Sequence, residues 1–124
     1  MSNRSRETEK IRFEERYGTL STARQIQFLL KDVHVLQSRV LNDDFTACDI
    51  FIDLNEAIEK ASLTKRQRDA LYYVYICDYT QVEAAEKMGV AQQNIRELIK
   101  RSTERIAEIF YYWTQHDLGY RGGY

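Results

Sequence analysis

Between Thr80 and Arg101 the chain reads TQVEAAEKMGVAQQNIRELIKR, and the side chains with chemistry to offer gather in its second half. Gln92, Gln93, Arg96, Glu97 and Lys100 fall on one side of a helical repeat, while Val90, Ile95, Leu98 and Ile99 fall on the other. A carboxamide can pair bidentately with adenine and a guanidinium with guanine, and a carboxylate can accept from the cytosine amine. Each such pairing is worth about 1–3 kcal/mol of discrimination. A helix with its apolar residues inward and these residues outward is what the major groove of a DNA duplex admits.

The segment before that helix has the means to position it. Thr80 with Glu83 three residues on reads as a capping box, in which the Thr80 hydroxyl accepts the Glu83 amide and Glu83 reaches back to the Thr80 amide. Ala85, four residues before Gly89, is small enough to let two crossing helices approach. Gly89 can take the left-handed conformation that ends the first helix at little cost. Two helices around a glycine also make an ordinary αα-corner with no ligand. The joint spacing of Thr80, Ala85, Gly89, Val90, Ile95 and Leu98, followed by the amide and arginine face, favours a helix-turn-helix.

The 124 residues suffice for one domain with a real core, and 44% hydrophobic against 30% charged residues is a globular balance. With no proline and only five glycines, three of them at the C-terminal end, the chain has little turn chemistry for a β-fold. The expected class is all-α. No apolar run approaches the ~18 residues needed to span a bilayer. The charged start, MSNRSRETEK, has no apolar stretch behind it. A cytoplasmic location with no membrane partner is therefore expected. Cys48 and Cys77 form no C-x-x-C pair and read as buried reduced thiols; His34 and His116 stand alone, so no metal and no other cofactor is expected. No nucleophile–base spacing or glycine-rich phosphate loop is present, which argues against an enzyme.

Net charge is −1, unlike the basic balance of most free-standing nucleic-acid binders. The charge is unevenly placed. Residues 43–60 hold Asp43, Asp44, Asp49, Asp53, Glu56 and Glu59 against Lys60 alone, whereas residues 91–105 hold Arg96, Lys100, Arg101 and Arg105 against Glu97 and Glu104. Screening beyond about 8 Å makes the local patch the relevant one. Modest affinity, or binding assisted by a partner protein, is the expectation.

Further elements follow from periodicity. One helix is expected over 22–41, opening on a Thr22–Gln25 capping box, with Ile26, Leu29, Val33, Leu36 and Val40 at heptad spacing and Leu30 and Leu41 widening the stripe. That stripe serves docking onto the domain or self-association as a homodimer. A second helix, from Asp44 or Thr46 to Ala61, carries Ala47, Ile50, Phe51, Leu54, Ala57, Ile58 and Ala61 on one face and its acids on a solvated one. A third opens on a Thr64–Gln67 capping box, with Leu71, Val74 and Tyr75 buried. Lys65, Arg66 and Arg68 crowd its first turn against the helix dipole, a placement suited to phosphate. The last helix starts near Ala91 and runs to Trp113 or beyond, its stripe of Ile95, Leu98 and Ile99 continued by Ile106, Ile109, Phe110 and Trp113 and thickened by Tyr111 and Tyr112. RETEKIRFEERYG near the start has a helical charge pattern with few apolar anchors, and the end, LGYRGGY, reads as mobile. The division expected is an N-terminal helical arm over 1–43, a helix-turn-helix domain over 44–113 and a flexible tail over 114–124.

In this order the stretch LTKRQRDALYYVYICDYTQVEAAEKMGVAQQNIRELIKR resembles region 4 of the sigma-70 family of bacterial RNA polymerase sigma factors, most of all small sigma-like regulators of bacteriophages and prophages. The resemblance runs from Leu63 to about Ile109. It implies recognition of a promoter element in the major groove and contact with RNA polymerase. It places Gln92, Gln93, Asn94, Arg96, Glu97 and Lys100 toward the groove, and Arg101, Lys65, Arg66 and Arg68 toward phosphates. Ala91 stands where the family usually has a serine that caps the recognition helix. Nothing in the first sixty residues resembles region 2, which melts promoters. The expected role is a sequence-specific regulator on double-stranded DNA that works with RNA polymerase or another partner. Alternatives are a protein-interaction module for polymerase and a DNA-packaging subunit of the small-terminase type.

Overall fold

The computed structural model describes residues 16–116, and all regular structure among them is helical. The helices are α1 (Ala23–Lys31), α2 (Val33–Leu41), α3 (Phe45–Lys60), α4 (Lys65–Leu71, continued as a π-helix over Tyr72–Ile76), α5 (Gln81–Met88) and α6 (Gln92–Gln115). The all-α expectation holds, with the helix-turn-helix, amphipathic helices before it and a long last helix. The helical pattern expected in residues 1–15 and the glycine-rich end from Leu118 lie outside the described residues.

One apolar cluster draws on every helix. Ile26, Leu29 and Leu30 of α1, Leu36 of α2, and Ala47, Ile50, Leu54 and Ala57 of α3 meet Ala70 and Leu71 of α4, Ala84 and Ala85 of α5, and Ile95, Ile99, Ile106, Phe110 and Trp113 of α6. The spine is α6, which at 1.5 Å per residue is about 36 Å long and packs against α1, α3, α4 and α5.

The structure corrects the expected helix 22–41. It is two helices, broken at Asp32, whose backbone lies at φ −96°, ψ 11°. The Asp32 carboxylate receives Arg16 Nη2 and the Tyr17 hydroxyl, both at 2.7 Å. Burial alone would raise its pKa, but the hydrogen bonds from Tyr17 and Arg16 outweigh that and hold the group below its ordinary value. The break lets α1 lie on α6 while α2 packs on α3. One straight helix could not follow both. Leu41, expected in the stripe, is 80% exposed in consequence. Only half of the Thr22–Gln25 box forms: Thr22 accepts the Gln25 amide at 3.3 Å, but Gln25 Oε1 accepts from Ser21 rather than Thr22.

Helix α3 is capped by Asp44, which accepts the Ala47 amide at 3.1 Å, and buries the expected face. Asp53 does not share the solvated face expected for the acids; it is 1% exposed. Its position explains this, because three residues after Ile50 and four before Ala57 is within the buried row. In α6 the apolar stripe is interrupted by Ser102 and Thr103, both fully buried. Their hydroxyls donate to the carbonyls of Leu98 and Ile99 at 2.7 Å, which removes the penalty of a bare buried hydroxyl. Tyr111 and Tyr112, expected to thicken that stripe, are exposed. The two cysteines are free and half-buried rather than buried.

Candidate nucleic-acid interface

The turn is built by the residues the spacing singled out. Glu83 N donates to Thr80 Oγ1 at 3.1 Å and Thr80 N donates to Glu83 Oε1 at 2.9 Å, closing the capping box. The hydrogen bond from the Thr80 amide holds the Glu83 carboxyl below its usual range. Gly89 ends α5 at φ 67°, ψ 36°, and Val90 N returns to the Ala85 carbonyl at 3.0 Å. A side chain at Gly89 would meet nothing within 4 Å, so the glycine answers a backbone requirement and not a steric one. Gly89→Ala is therefore expected to destabilise the protein by about 1–2 kcal/mol, the ordinary cost of a left-handed alanine, with Gly89→Asn retaining more of the wild-type stability in chemical denaturation.

Beyond the turn, Ile95 and Ile99 are buried against α5 and the core, with Ala84 and Ala85 admitting the close approach. That anchors the first turns of α6 with the opposite face outward. Gln92, Gln93, Asn94, Arg96, Glu97, Lys100 and Arg101 are all exposed, as are Lys65, Arg66 and Arg68 at the start of α4. The start of α4 is set by the second capping box, in which Gln67 N donates to Thr64 Oγ1 at 3.2 Å and Thr64 N to Gln67 Oε1 at 2.9 Å.

The charges on this surface are not equivalent. Lys65 is held by Asp69 at 3.0 Å and Arg101 by Glu97 at 2.9 Å, both along one helix. The bond from Arg101 keeps the Glu97 carboxyl below its ordinary value. Arg66, Arg68, Arg96 and Lys100 have no ion-pair partner among the described residues and point to solvent. Arg105, counted with the basic patch in the sequence, lies elsewhere in function: its Nε donates to the Ala61 carbonyl at 2.8 Å, tying α6 to the end of α3. No local pattern announces a contact between residues 44 apart.

The recognition helix starts without a side-chain cap, since Ala91 stands at its N-cap in extended conformation. A serine fits that backbone and could accept an amide of the first turn. Ala91→Ser is expected to stabilise the protein by about 0.5–2 kcal/mol, read as a higher melting temperature with no change in the exposed face.

Among the described residues no group of three or more His, Cys, Asp or Glu is placed to hold a metal ion, and no helix is long and apolar enough to cross a membrane. Residues 61–108 match the family model described as Sigma-70, region 4. That span runs from the end of α3 through α4, α5 and most of α6, and leaves α1 and α2 outside it. No curated protein and no solved structure matches the chain. The match and the geometry agree, and residues 61–108 are a sigma-70 region 4-like helix-turn-helix, a unit with a DNA-binding role in transcription.

Proposed function

We propose that this protein is a sequence-specific transcription regulator that reads double-stranded DNA through the exposed face of α6, with Gln92, Gln93, Asn94, Arg96, Glu97 and Lys100 toward the bases. Arg66 and Arg68 then meet phosphates, joined by Lys65 and Arg101 once their carboxylate partners yield. The observation that carries this reading is the anchoring of Ile95 and Ile99 behind a row of exposed amides and unpaired cations at the start of one helix. Rigid presentation is what separates a base-reading helix from a solvated one.

The polymerase contact of the sigma family supports a regulator that works beside RNA polymerase or another partner. The test is selection of binding sequences by the full chain, followed by gel shifts over a range of salt. Enrichment of one sequence with salt-dependent affinity is expected. Co-purification with core polymerase but no salt-dependent DNA binding would replace this reading with an interaction module, and ring-shaped oligomers would replace it with a packaging subunit.

A further inference from the structure

The exposed face of α6 is only half a face, because α1 covers its continuation. Gln92, Arg96, Lys100, Thr103 and Ala107 follow one another at steps of three and four, so they form a single row along the helix. Ser21 and Ala23 line one cavity with Glu104, Ala107, Glu108 and Tyr111, and Gln27 Nε2 donates to Thr103 Oγ1 at 3.1 Å. Four residues forward on α1, from Ala23 to Gln27, correspond to four residues backward on α6, from Ala107 to Thr103. The helices are therefore antiparallel, and α1 runs from Ala23 toward Lys31 in the direction in which α6 runs back toward Lys100 and the base-facing row.

The charge of α1 suits that position. Residues 16–31 contain Arg16, Arg24 and Lys31 and no carboxylate, in a chain of net charge −1. All three cations border a groove of about 560 Å³ that also takes in Tyr17, Gln27 and Phe28. Arg16 is engaged by Asp32 at 2.7 Å. Arg24 and Lys31 are exposed and have no ion-pair partner among the described residues. Seven residues apart on a helix, they are separated by about 10 Å along its axis. One DNA strand presents a phosphate about every 3.4 Å of duplex, so with α1 along the duplex the pair is separated by about three phosphate spacings.

We propose that the α1 groove, with Arg24 and Lys31 as its charged arms, grips the sugar–phosphate backbone of the duplex whose bases α6 reads. The protein's footprint then extends past the helix-turn-helix on the side of Lys100. This rests on the DNA-binding reading above. Phosphate contacts carry no sequence information, so the groove adds affinity and fixes orientation while α6 chooses the sequence.

The test compares the full-length protein, Arg24→Gln/Lys31→Gln and the control Lys60→Gln on the selected duplex and on a scrambled one, across salt concentrations. Each phosphate contact contributes about 0.9 to the slope of log affinity against log salt. The double variant is expected to lower the slope by about 1.8, to weaken binding to both duplexes alike, and to shorten the backbone footprint at one end; Lys60→Gln is expected to do none of these. A wild-type slope and footprint in the double variant, with sequence-specific binding intact, would overturn the proposal while leaving the α6 reading in place, and would return the groove to an acidic protein partner. Absence of salt-dependent binding by the wild type would overturn both.

Discussion

Arg96→Ala combined with Gln93→Ala is expected to abolish sequence discrimination while the protein remains folded. Both side chains are exposed on the first turns of α6, and neither belongs to the apolar cluster that holds the helix. Surface changes of this kind ordinarily move stability by within about 0.5 kcal/mol. With one bidentate base contact each, worth about 1–3 kcal/mol, the pair together lowers affinity for the selected duplex by about 30-fold to about 25,000-fold. Binding to scrambled DNA should fall far less, because the cations at Arg66, Arg68 and Lys100 remain. The ratio of the two affinities at one stated salt concentration is the decisive number. An unchanged ratio in a folded double variant would remove α6 from the role of reader.

The opposite pattern is expected for Ile95→Ala. Ile95 is fully buried in the apolar cluster that α5 and α6 share, so its truncation leaves a cavity as well as lost apolar contact. Changes of this type cost about 2–5 kcal/mol, against a total stability of about 5–15 kcal/mol for a domain. The urea midpoint should drop sharply. Affinity for specific and scrambled DNA should fall together with the folded fraction, and ligand excess should restore part of both. A variant of full stability would mean that the packing of α5 on α6 contributes little. The contrast between the two variants separates what α6 reads from what holds α6 in place.

Local chemistry made the turn legible in advance. A threonine and a glutamate three residues apart can satisfy each other's amides wherever a helix begins, and a glycine can take positive φ without help from its surroundings. Thr80, Glu83, Gly89, Thr64 and Gln67 therefore behave as their spacing implies. The burial of Ile95, Ile99, Ile106 and Phe110 was equally visible, since a period of 3.6 needs only a partner surface and not its identity. Other positions were not legible. Nothing in DYTQ or in LYYVYI marks the π-helix over Tyr72–Ile76, where Cys77 N reaches the Tyr72 carbonyl at 3.0 Å and Tyr73 stacks on Tyr79 at 5.7 Å. The burial of Ser102 and Thr103 within an apolar row was hidden for the same reason: their hydroxyls satisfy themselves on α6, and only a neighbouring helix shows that water is excluded.

The all-α class, the helix-turn-helix and the outward face of its second helix follow from local chemistry alone, because each depends on interactions within a few residues. Packing between helices removed one cation from that face: Arg105 leaves it to hold the Ala61 carbonyl at 2.8 Å, whereas the Glu97–Arg101 pair at 2.9 Å is local to α6. The tertiary structure also decided that the heptad stripe of residues 22–41 divides at Asp32, since Arg16 and Tyr17 converge on that carboxylate. Once divided, α1 is free to lie antiparallel on α6, with Gln27 on Thr103. Spacing along a chain specifies which residues share a face; only packing specifies what the face meets, and which of its charges are left to meet it.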